Sequence, residues 1–275
     1  MALSFGYAFL FTYIAVLLLF SGFYVLAYFQ KRYNTVDIAF GAAFPLAAIM
    51  MSLFSEQPFF MGTRIISLVL VILWGARIAI MLTLRKYGKD EQTTEDRRFK
   101  EYRDKFGAAA SWKGFVYLYL PQTILVMIVG FPAYAIAFQT SSAFQLSYII
   151  GIVIWVMGFT FELVADLQMW KFKSKEENKG KIMQSGLWKF SMHPNYFGEV
   201  LLWGGIFLLG LSSPEPWLQV IGLLSPIAIW ATLLFISGIP LQDKRFVANE
   251  EYQRYRRITN RLVPWFKKSP LSRKD

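Results

Sequence analysis

What most constrains this chain is the recurrence of predominantly apolar runs of membrane-spanning length, at roughly 6–29, 36–54, 64–84, 115–138, 146–169, 197–211 and 217–239. A hydrocarbon core about 30 Å thick is crossed by about 20 apolar residues in a helix. A backbone in lipid must satisfy its own hydrogen bonds, so runs of this kind fold as helices. The expected fold is therefore all-α: an integral membrane bundle of seven transmembrane helices, forming one domain over 1–275. The first run lacks a charged leader and a small-residue cleavage site, so it reads as a retained helix and not as a signal peptide.

Charge gives the bundle a direction. Of the 29 Lys and Arg residues, 27 fall in four places: Lys31 and Arg32, the stretch 85–114, the stretch 169–196, and the tail from 240 onward. These follow the first, third, fifth and seventh runs, whereas 55–63, 139–145 and 212–216 carry no Lys or Arg. The positive-inside bias places the N-terminus outside and the C-terminus in the cytoplasm. The net charge of +11 is thus explained by topology, and nucleic acid is not an expected partner. The chain has no cysteine and one histidine, which excludes disulfides, thiolate zinc sites and cysteine nucleophiles and argues against a His-based metal centre. No GxGxxG or GxxxxGK occurs, so any nucleotide binds within the bundle.

The stretch that organises the chain is GLWKFSMHPNYFGEVLLWGG, Gly186 to Gly205, which holds the only histidine, His193, followed by Pro194, Asn195, Tyr196 and Glu199, and runs without a break into apolar sequence. Pro194 lacks a backbone N–H and suits a first helical position, which predicts a helix starting here with its N-terminus toward the preceding basic loop, a site suited to phosphate. Asn195 and Glu199 are four apart and share a face. Upstream, FELVADLQMWKFK puts Glu162 and Asp166 four apart at the end of the fifth run; ionisable groups at that depth mark a wet interior or an interhelical ion pair. Arg77 within the third run poses the same choice. Asp37 lies where it either caps the second helix or serves the site. The tail QDKRFVANEEYQRYRRITNRLVPWFKK reads as a lipid-surface helix or a lid, with Tyr252 and Tyr255 on one face.

With ADLQMWKFK before GLWKFSMHPNYFGE and YQRYRRITNRLVPW after it, the sequence resembles the steroid 5α-reductase family, in particular its bacterial branch. The likeness covers roughly 150–266, and more loosely the second and third runs through NTVDIAFG and LWGARIA. Met192 stands where the bacterial pattern usually has arginine, and Phe40 where it tends to have tryptophan. The resemblance implies a seven-helix membrane enzyme that uses NADPH to saturate the Δ4 double bond of a 3-oxosteroid or a similar lipid enone. In a bacterial inner membrane its cofactor site would face the cytoplasm, with the cofactor-binding half at about 146–266. It carries cofactor contacts onto Asn195, Glu199, Asp166, Lys173, Lys181 and Arg257, with Tyr255 beside the last, where the spacing admits a slip of one. His193 and Tyr196 belong to the same motif, and Lys89 adds positive charge from the third loop. Glu199, Asp37 and Trp74 are the candidates for the catalytic end.

The chemistry agrees. An enone takes hydride at its β-carbon while negative charge builds on the ketone oxygen, so the protein needs a donor there, a positioned cofactor and exclusion of water. Two other readings remain: an S-adenosylmethionine-dependent methyltransferase of the isoprenylcysteine type, which shares a His-Pro-x-Tyr element, and a non-enzymatic lipid-binding or transport bundle.

Overall fold

The structure, a computed structural model, describes residues 3–30, 33, 35–57, 62–87, 102, 104–139, 146–211 and 215–267. It is all-helical apart from one isolated bridge between Ser191 and Asn260. The helices are α1 (Phe5–Gln30), α2 (Thr35–Phe54), α3 (Gly62–Tyr87), α4 (Ala110–Val129), α5 (Phe131–Ile136), α6 (Leu146–Lys173), α7 (Pro194–Gly210), α8 (Pro216–Gly222), α9 (Leu224–Ala231), α10 (Ile239–Arg245) and α11 (Glu250–Ile258).

Among the described residues six helical stretches are long and apolar enough to cross a membrane: α1, α2, Gly62–Leu84, α4, α6 and Pro216–Arg245. The chain is an all-α, multi-pass membrane protein. The expected run 197–211 is α7, which has 17 residues; at 1.5 Å per residue it is about 25 Å long, short of a core about 30 Å thick.

Two expected spans are interrupted. The run 115–138 contains a π-helical turn at Phe115–Tyr119 and breaks at Gly130, before Pro132. The run 217–239 extends to Arg245 but breaks at Leu223, has a π-helical turn at Thr232–Ile236, and restarts after Gly238 with Pro240 in the first turn of α10. A proline is tolerated in a first turn, where its missing N–H removes no helical bond.

Contacts divide the chain into two compact units, Met1–Gln145 with Leu209–Leu224, and Leu146–Leu208 with Ser225–Asp275. In the first, α2 and α3 approach until a Cβ on Gly75 would lie 2.6 Å from the Gly41 carbonyl and 2.5 Å from Pro45 Cδ. Arg64, at the start of α3, is buried and donates to the carbonyl oxygens of Ser52, at 3.1 Å, and Gln57. The Ser52 bond satisfies an acceptor that the last turn of α2 leaves open, and the Gln57 bond ties the loop after α2 to α3. At the other end of α2, Thr35 Oγ1 and the Tyr119 hydroxyl lie 2.6 Å apart, Tyr119 donates to the Tyr33 carbonyl at 3.1 Å, and Tyr33 donates to the Ala110 carbonyl at 2.8 Å. These bonds tie α4 to the α1–α2 connection.

In the second unit, α6 and α7 run antiparallel along a seam of glycines spaced seven apart on each helix. A Cβ on Gly198 would lie 2.6 Å from the Gly158 carbonyl, and one on Gly205 would lie 2.6 Å from the Gly151 carbonyl. Small residues let helix backbones touch in lipid, where packing replaces the hydrophobic drive.

Candidate functional site

The seam sets the geometry of the polar stretch. Because Gly198 has no side chain, the Cβ of Glu162 takes up that space, 2.9 Å from where a Gly198 Cβ would be. Glu162 is buried. One turn on, Asp166 Oδ1 accepts from Asn195 Nδ2 at 3.2 Å. The two carboxylates four apart on α6 thus face the first turns of α7, where Asn195 and Glu199 sit. One residue of each expected pair, Asp166 and Asn195, therefore meets the other, and α7 begins at Pro194 as its chemistry predicts.

The loop ahead of α7 is held by both neighbours. Gly186 turns with φ +61° where a Cβ would collide with Gln168 Oε1, and that oxygen accepts from Leu187 N at 2.9 Å. Trp188 is buried and its Nε1 donates to the Ala165 carbonyl at 3.1 Å. From the other side, α11 packs Tyr252 and Tyr255 against Met192. The Tyr255 hydroxyl donates to the carbonyl oxygens of Trp188 and, at 3.0 Å, Ser191. Ser191 Oγ donates to the Leu262 carbonyl at 2.7 Å and accepts from His193 N at 3.0 Å, while Met192 N donates to the Asn260 carbonyl at 2.8 Å.

Three buried polar atoms of the His193–Asn195 segment lack hydrogen-bond partners among the described residues: both ring nitrogens of His193, and Asn195 Oδ1. The His193 ring is 1% exposed and stacks on Tyr196 at 5.2 Å and 5°. Tyr196 in turn packs into the space left by Gly238 and receives a long hydrogen bond, 3.5 Å, from Gln242. Burial holds the imidazole at a pKa of about 4, below its ordinary 6.5, outweighing the upward pull of Asp243; Arg261 adds to the downward shift. The ring is neutral at physiological pH.

Lys173, Lys181 and Arg257 are exposed. Lys181 precedes Ile182, whose N–H meets Glu251 of α11 at 3.3 Å, and Arg257 lies six residues further along that helix. Its neighbour Arg256 is engaged with Asp243 at 3.7 Å, whereas Arg257 makes no ion pair among the described residues. Lys89 lies outside the described residues. Asp37 and Trp74 belong to the first unit. Asp37 is half-buried in the first turn of α2, and Trp74 is buried against Phe44 at 5.0 Å and Phe40 at 6.5 Å, edge-on to both rings. The first unit also holds an apolar pocket of about 380 Å³ between Phe9, Tyr13, Met127, Phe131 and Ile221.

Asp243 is a neighbour of the candidate site that the sequence alone does not single out. Tyr252 donates to it at 2.7 Å, and Arg261 and Arg256 pair with it. Its one signal in the sequence was a lone acid at the end of the last span, followed by a tail rich in arginine.

A family model described as "Protein of unknown function (DUF1295)" matches residues 23–259. No curated protein and no solved structure matches the chain.

Proposed function

The chain belongs to the DUF1295 family, and from its own residues we propose that it is an NADPH-dependent reductase that saturates the Δ4 double bond of a 3-oxosteroid or similar lipid enone. The observation that carries the proposal is Asn195. Its amide nitrogen is held by Asp166 and its carbonyl oxygen is buried with no donor among the described residues. A buried acceptor left open costs about 1–3 kcal/mol unless something donates to it. The N–H₂ of a nicotinamide carboxamide is such a donor, with Glu199 one turn along to take its second hydrogen.

When bound, NADPH would supply the hydride. The chain's own residues orient and shield: Asn195 and Glu199 fix which ring face is presented, Lys181 and Arg257 offer charge to a 2′-phosphate, and the glycine seam of α6 and α7 keeps water from the cluster. The neutral His193 and its stack on Tyr196 give this end of α7 a rigid, uncharged wall. Balance requires one proton for the α-carbon of the enone for each hydride received at the β-carbon.

We place the site on the cytoplasmic face, with seven crossings and the N-terminus outside. The support is the distribution of Lys and Arg, and the apolar character of α7, which can cross a locally thinned bilayer. A single cysteine at Lys179 should label from the cytoplasmic side and one at Glu215 from the outside. Mass analysis of nucleotide copurified with the protein tests the enzymatic proposal: NADP(H) supports it, and S-adenosylmethionine or its demethylated product overturns it.

A further inference from the structure

The segment after α11 returns to the start of α7 and presents a second face outward. Asn260, Leu262 and Trp265 bond to the loop at Met192, Ser191 and Phe190, the last through Trp265 N and the Phe190 carbonyl at 3.1 Å. Residues 190–192, to which they bond, lie two to four positions before Pro194, where α7 begins. On the outward side Val263, Trp265 and Phe266 are 56%, 68% and 75% exposed, with Phe266 edge-on to Phe190 at 6.4 Å. Exposed Arg261 and Lys267 flank them.

We propose that this strap, residues 260–267, is seated in the lipid interface, and that the seat steadies the His193–Pro194 turn at the head of α7. Tryptophan and phenylalanine flanked by cations are the side chains that settle at the headgroup level. Three apolar side chains bordered by charge are too few for a stable protein interface, which needs roughly 800 Å² per partner. The tail therefore combines both roles suggested by its sequence: α11 covers the loop, and the strap meets the bilayer. The inference rests on the Pro194 end of α7 lying at a membrane face and does not require the reductase reading.

The cysteine-free chain permits a direct test. A polarity-sensitive label is placed singly at Lys267→Cys, at Leu167→Cys on the exposed face of α6 near its Asp166 end, and at Lys179→Cys in the exposed loop, in full-length protein in nanodiscs with brominated phosphatidylcholine. The label at 267 should be quenched as strongly as that at 167 and several-fold more than that at 179. In the Trp265→Ser/Phe266→Ser variant, quenching at 267 should fall to the level of 179, and exchange of the Met192 and Trp265 amides should quicken on the order of tenfold. An unquenched label at 267 beside a quenched one at 167 overturns the inference; if 167 is also unquenched, the topology falls with it. Protection of those amides that depends on protein concentration instead of lipid contact would assign the face to a second copy and likewise overturn it. The quenching result on the otherwise native chain stands whether or not the double variant folds.

Discussion

Gly158 and Gly198 meet so closely that a side chain on Gly198 would begin 2.6 Å from the Gly158 carbonyl. That contact lets Asp166 reach Asn195 one turn away, so helix packing and the candidate site are a single arrangement.

Alanine at Gly198 or Gly205 should therefore push α6 from α7, with a loss of about 1–3 kcal/mol from overpacking. Gly204 is the control, since nothing lies within 4 Å of a Cβ placed there. Gly204→Ala should be neutral or up to about 1 kcal/mol stabilising, from helix propensity. Thermal melts in nanodiscs compare the three, and equal tolerance would show that the seam does not set the packing.

Tyr255 braces the loop through two backbone carbonyls. Tyr255→Phe leaves both without that donor and should cost about 1–3 kcal/mol. If the hydroxyl acts only on the loop, KM should move alike for NADPH and NADH; a change confined to one nucleotide would place Tyr255 at the cofactor.

His193 makes stability depend on pH. Its folded pKa of about 4 lies below its ordinary 6.5, so the unfolded chain binds more protons between those values. The stabilisation is full above about pH 6.5 and is lost as pH falls toward 4, amounting at most to about 3 kcal/mol. His193→Gln should flatten that part of a melting profile; an unchanged slope would mean that another group titrates there.

How far the sequence carried depended on the range of each interaction. The start of α7 was legible because Pro194 acts locally, and the Asn195–Glu199 and Glu162–Asp166 faces because helical periodicity is local too. That Asp166 would meet Asn195 was not legible. It depends on glycines seven apart on two helices finding one register, and each pair alone is an ordinary spacing in an apolar run. The breaks at Gly130 and Gly238 were hidden because hydropathy continues through them. Asp243 was overlooked because its partners Tyr252, Arg256 and Arg261 are 9 to 18 residues away.

Arg256 and Arg257, adjacent on α11, are engaged differently. Arg256 is tied to Asp243 and Arg257 is exposed, so Arg257→Ala and Lys181→Ala should raise KM for NADPH by roughly one to two decades while sparing NADH. Arg256→Ala should loosen the tail and affect both nucleotides alike. The reverse pattern would move the phosphate contact to Arg256.

The most direct measurement follows the hydrogen itself. Protein in nanodiscs is given NADPH deuterated at the transferable position together with progesterone, and the product is analysed by mass. The account predicts a saturated 3-oxosteroid carrying the deuterium at its former β-carbon, formed on the order of 10²-fold more slowly by folded Glu199→Gln, since displacing the reacting groups by about 1 Å can cost that much. Absence of deuterium from this and related lipid enones, or wild-type transfer by Glu199→Gln, would contradict it.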